Sequence, residues 1–196
     1  MTARSGLMLS LAAGLTLGIA SCDRPSGLEL IPEAVVSCST EQPTSDQQGE
    51  GTKMLPGRVC GACHRTGGQA ANSPWTLSGT VFVDANAPCN TGGAANIGVE
   101  VLYSQDDPNG GYRMNEVQPG GSLRTNDAGN FYTAAKFVAP MRIRVFDPNN
   151  STRQVLMNNL VGQDPTTGAV TRVDCNFCHY PGSPNLTGNN GRIYLP

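Results

Sequence analysis

Four of this chain's cysteines and both of its histidines fall into two copies of one pattern, Cys60-Gly61-Ala62-Cys63-His64 and Cys175-Asn176-Phe177-Cys178-His179. Two thiols three residues apart, followed at once by an imidazole, are the groups needed to hold a haem of the c type. Each thiol adds across a vinyl group of the porphyrin, and the histidine lies under the ring and gives a nitrogen to iron. The pattern therefore predicts two haem c groups, with thioethers at Cys60, Cys63, Cys175 and Cys178 and proximal nitrogens from His64 and His179. No histidine is left for a Ser-His-Asp or Cys-His arrangement, and no catalytic residue is assigned.

The same count limits the opposite face of each iron. Two bis-histidine sites in one chain need four imidazoles, and there are two. Thioether is the natural substitute, and it raises the potential. Met54 stands just before the first motif and Met157 in the approach to the second, so both are candidate distal ligands. Met114 falls in a Gly-rich insertion, and Met141 alternates with Ile143 and Val145 as a core residue does. A lysine amine from Lys53 or Lys136, or an open iron, are the other choices. Two Cys-x-x-Cys pairs also suit a tetrahedral zinc-thiolate site if they meet in space, or two disulfides. Both readings leave the histidines unexplained.

The N-terminus carries a targeting segment. Arg4 precedes an apolar stretch from Leu7 to Ile19 that is too short to span a bilayer as a helix. It ends in Ile19-Ala20-Ser21-Cys22, which resembles the bacterial lipobox. That resemblance implies diacylation at Cys22 and a place in the bacterial cell envelope, lipid-anchored on the periplasmic side or at the cell surface. The alternative is an ordinary secretory signal with an incidental cysteine. Either route leads out of the cytoplasm, where a disulfide is stable. Of seven cysteines, one is then for lipid and four are for haem. Cys38 and Cys89 remain, as a disulfide or as two thiols. A net charge of −2 and 14% charged residues offer no basic face for nucleic acid.

With 24 Gly and 14 Pro, long helices are not expected. Alternating runs predict strands over residues 76–83, 97–103, 122–125, 130–133 and 141–146, with a further one between 153 and 161. Asn126-Asp127-Ala128-Gly129 reads as the turn of a hairpin, with glycine at a positive-φ position. The chain divides into a signal peptide (1–21), a Ser/Thr/Gln/Gly-rich tether (22–55), a first haem-attachment segment (56–75), a β domain (76–173) and a second attachment segment (174–196).

The order of motifs in the β domain resembles a known family. Gly79-Thr-Val-Phe-Val83, Gly98-Val-Glu-Val101, Thr125-Asn-Asp-Ala-Gly-Asn-Phe131 and Pro140-Met-Arg-Ile-Arg-Val145 are similar to the carboxypeptidase regulatory-like, transthyretin-like domains. The resemblance spans Thr76 to Asp147. It implies a mainly β fold, an antiparallel β-sandwich flanked here by two irregular haem-attachment segments. That family offers no catalytic residues. The Gly/Pro/Asn-rich surroundings of the second motif exclude the helices of a single-haem cytochrome c and resemble the short attachment loops of multihaem cytochromes. Together these features lead to the expectation of a membrane-anchored dihaem c-type cytochrome lipoprotein that exchanges electrons with other redox proteins or cytochromes. The contrasting expectations are a carbohydrate- or partner-binding lipoprotein with structural Cys-rich ends, and a haem enzyme with an open iron.

Overall fold

Apolar residues two apart underlie the central strands of both sheets. The computed structural model describes Cys38 and residues 56–68, 70–89, 91–104, 115–164, 166–180 and 191–196. Among these it forms β1 (Leu77–Phe82), β2 (Gly98–Tyr103), β3 (Val117–Arg124), β4 (Asn130–Thr133), β5 (Met141–Asp147), β6 (Asn150–Leu156), β7 (Val173–Asp174) and β8 (Ile193–Tyr194). One sheet has the order β4-β1-β7, with β8 also on β1; the other has the order β3-β2-β5-β6. The chain is mainly β with two sheets.

Their apolar faces share one cluster. Leu77 and Val81 of β1 and Phe131 of β4 meet Val99 and Val101 of β2 and Met141, Ile143 and Val145 of β5, all buried. Full burial of each such side chain contributes about 1.5–3 kcal/mol. Met141 takes the core position that its alternation predicts.

Three features depart from the expected pattern. First, β3 begins at Val117, earlier than expected, because Pro119-Gly120-Gly121 looks like a turn in sequence. It is tolerated because β3 is an edge strand, where a missing N–H is harmless. A bulge opposite Glu100–Leu102 adds to the irregularity. A Cβ on Gly121 would lie 2.9 Å from Val101 Cβ, so glycine lets the strands close there.

Second, the turn at Asn126–Gly129 is not a hairpin. It is tight, with the Gly129 N–H on the Asn126 carbonyl at 2.8 Å and Gly129 at φ +76°. But β3 belongs to one sheet and β4 to the other. The Val81 N–H of β1 captures the Gly129 carbonyl at 2.9 Å, and β4 goes on to pair with β1. The turn is a corner between sheets.

Third, β7 and β8 pair parallel to β1, although only antiparallel pairing was expected. They also bring part of the expected second attachment segment, 174–196, into the sheet. Val173 and Asp174 are sheet residues, and Cys175 lies in the main core cluster. The two motif segments are built into the β structure, because β1 needs them to cover its open edge and second face.

Candidate haem-attachment site

Each motif folds as a single 3₁₀ turn, Cys60–Ala62 and Cys175–Phe177. The two turns are alike in backbone. The chain enters extended, at Val59 (φ −71°, ψ 92°) and Asp174 (φ −115°, ψ 104°). It leaves near the helical region, at Cys63 (φ −96°, ψ −44°) and Cys178 (φ −105°, ψ −32°). In the first, the Cys60 carbonyl accepts the N–H of Cys63 at 3.1 Å and of His64 at 2.9 Å. In the second, the Cys175 carbonyl accepts the N–H of Cys178 at 3.1 Å and of His179 at 2.8 Å. Residues i and i+3 of a 3₁₀ turn eclipse each other, so both cysteines of a motif project to one side, with the histidine next to them.

The imidazoles are oriented in the same way. His64 Nδ1 lies 2.8 Å from the Ser73 carbonyl, and His179 Nδ1 lies 3.0 Å from the Gly191 carbonyl. A carbonyl only accepts, so Nδ1 carries the proton and Nε2 presents its lone pair. Metal-ligating histidines are fixed in this manner, through the nitrogen that does not bind metal. His64 is 6% exposed, and its Nε2 is buried with no hydrogen-bond partner. A buried acceptor left unpaired costs about 1–3 kcal/mol, and an iron at that nitrogen would remove the cost. His64 also stacks on Trp75, with ring centroids 3.4 Å apart, and Trp75 stacks on Tyr132 at 4.1 Å. Burial pushes the His179 imidazolium below its ordinary range, against the opposing effect of its bond to Gly191. That favours the neutral ring, the form a metal takes.

Strand β1 holds both turns. Its edge pairs with β7 at Leu77–Ser78 and with β8 at Val81–Phe82, which leaves the Thr80 N–H between them. Asn176, fully buried, fills that gap. Its Oδ1 accepts the Thr80 N–H at 3.0 Å, and its Nδ2 donates to the Arg58 carbonyl at 2.7 Å and to Thr80 Oγ1 at 3.0 Å. Thr80 Oγ1 also accepts the Gly57 N–H at 2.8 Å. Asp174 Oδ2 accepts the Gly61 N–H at 2.5 Å. Burial first, then the charge of Asp174, raises the Cys60 and Cys175 thiols well above their ordinary range. The site therefore disfavours thiolates and suits sulfur in a neutral form, thiol or thioether.

Asn176 was not singled out from the sequence. Its only trace there is an amide in the second motif where the first has Gly61. Asp174 left no trace beyond being next to Cys175.

The remaining candidates are placed as follows. Cys38 and Cys89 form a disulfide, S–S 2.02 Å with Cα atoms 5.6 Å apart, buried beside Phe82 and Ala87. Cys178 is also disulfide-bonded, so a thioether there requires that bond to open first. Met157 packs against the main core cluster, with its N–H on the Ile143 carbonyl at 2.8 Å. It sits at the end of the exposed edge strand β6 and serves there as a hydrophobic side chain, because the β5–β6 pairing carries it along the core. Met54, Met114 and Cys22 lie outside the described residues. The two Cys-x-x-Cys turns do meet, as zinc would demand. Yet among the described residues no three His, Cys, Asp or Glu side chains group as a metal-ligand set.

Comparison with protein-family models, with curated proteins and with solved structures gives no match.

Proposed function

We propose that this chain is an extracytoplasmic dihaem c-type cytochrome with a transthyretin-like β-sandwich as its scaffold, acting in electron transfer. The observation that carries the reading is the repeated turn with its histidine: Nδ1 bonded to a main-chain carbonyl, and at His64 a buried Nε2 that nothing else uses. Haem c, when bound, supplies a one-electron ferric–ferrous couple. Cys60, Cys63 and His64 would hold one group, and Cys175, Cys178 and His179 the other. Ser73 and Gly191 fix the two rings through their carbonyls. The sheet fixes the turns, so little rearrangement accompanies a change of oxidation state. The natural partners are other redox proteins or cytochromes. Diacylation of Cys22 would keep the chain at a bacterial envelope membrane. Cys22→Ala should then move it to the soluble fraction, and unchanged membrane fractionation would count against the anchor.

A second reading has its own observation. Cys175 is buried in the main core cluster, as a structural cysteine would be in a partner-binding lipoprotein. Reduced and oxidised absorbance spectra of the purified protein separate the two. Sharp haem bands that persist in denaturant support the cytochrome, and a spectrum of bare polypeptide supports structural cysteines.

A further inference from the structure

The two imidazoles are oriented alike but from different parts of the fold. His64 takes its carbonyl from Ser73, just ahead of β1. His179 takes its carbonyl from Gly191, in the segment 191–196. That segment is a strap along β1. Gly191 is at φ +81°, and a Cβ there would collide with the Tyr180 carbonyl, so glycine brings the strap against the second motif. Arg192 lays its guanidinium over the Phe82 ring, 4.6 Å from the centroid. Ile193 and Tyr194 pair with Val81 and Phe82, and Leu195 enters the core cluster. A two-residue strand makes few ladder bonds, so side chains must hold the strap's far end. Arg153 does so from β6, in the other sheet. Its Nε donates to the Pro196 main-chain oxygen at 3.0 Å and its Nη2 to the Leu195 carbonyl at 3.0 Å. Its Nη1 lies 3.7 Å from Asp147 Oδ2. The rigid guanidinium fork suits two acceptors side by side.

We propose that Arg153 is a positioning residue for His179. It fixes the end of the strap, and the strap carries the Gly191 carbonyl that sets the imidazole. Orientation of the second histidine therefore depends on the opposite sheet. The use of His179 as a haem ligand rests on the reading above; the link from Arg153 to the ring rests on the hydrogen bonds alone. Arg153 lies on an exposed edge strand. Removing its fork should open the strap locally and leave the sandwich folded.

The test uses the full-length protein, with its haem content first read by mass. Hydrogen exchange at the imidazole C2 carbon, measured on proteolytic fragments, reports His64 and His179 separately. Backbone exchange reports Ile193 and Tyr194. In Arg153→Ala, exchange at His179 and over residues 193–194 should rise on the order of tenfold, since each lost hydrogen bond is worth a factor of about five before allowance for exposure. His64 should keep its wild-type rate. Arg153→Lys retains the charge facing Asp147 but cannot fork onto two carbonyls. It should show the same selective change to a smaller degree, and it decides the matter if the alanine variant does not fold. Equal change at both histidines in the lysine variant, or no change at His179 in either variant, would overturn the link and leave the haem reading intact. A bare polypeptide mass would overturn the haem reading, and the exchange rates would still decide the link.

Discussion

Replacing Asn176 with alanine is expected to lower the unfolding free energy by about 3 kcal/mol, from roughly 1–3 kcal/mol for each buried group left unpaired. The amide is fully buried and bonds to two segments of the chain. Without it, the Thr80 N–H faces a gap between β7 and β8 that neither short strand reaches, and the Arg58 carbonyl loses the amide N–H at 2.7 Å. Asn176→Asp should recover little. It restores an acceptor for Thr80 but sets a carboxylate oxygen against the Arg58 carbonyl, near the charge of Asp174. Chemical denaturation monitored by Trp75 fluorescence reads the loss, because Trp75 stacks between His64 and Tyr132. A midpoint equal to that of the wild type would mean that Asn176 does not join the turns to β1.

His64→Ala should have the largest effect on the cofactor. The first haem would lose its proximal nitrogen while the second keeps His179. About half of the ligand-dependent absorbance should change, and added imidazole should restore it by entering the space left against Trp75. The same variant separates the competing reading. If the cysteines are structural, the substitution removes an aromatic stack of about 0.5–1.5 kcal/mol, and imidazole has nothing to restore.

The two repeated motifs were plain in the sequence, whereas their assembly was not. Two complete motifs named six residues, and both turns fold alike because the same 3₁₀ hydrogen bonds form within five residues. Apolar residues two apart located β1, β2 and β5, though only β5 alternates in burial, and the sequence did not show that β1 is covered on both faces. Local pattern could not show that the Asn126–Gly129 turn changes sheets. That outcome depends on Val81, some fifty residues earlier, capturing the Gly129 carbonyl. Nor could two-residue strands announce themselves: Val173–Asp174 and Ile193–Tyr194 carry too few residues for a period. The meeting of the motifs was hidden for the same reason. It is made by Asp174, Asn176 and Arg172, polar residues whose role appears only when partners 108 to 118 residues away are beside them. Met157 packs against the core cluster that also holds Cys175, a placement its position in the approach to the second motif did not disclose.

Mass spectrometry of the denatured protein, purified from cells able to attach haem c, tests the central claim most directly. The account predicts a polypeptide carrying two haem masses that survive unfolding, with proteolytic fragments placing one on Cys60 and Cys63 and the other on Cys175 and Cys178. A bare polypeptide mass, with Cys178 still in a disulfide, would contradict it.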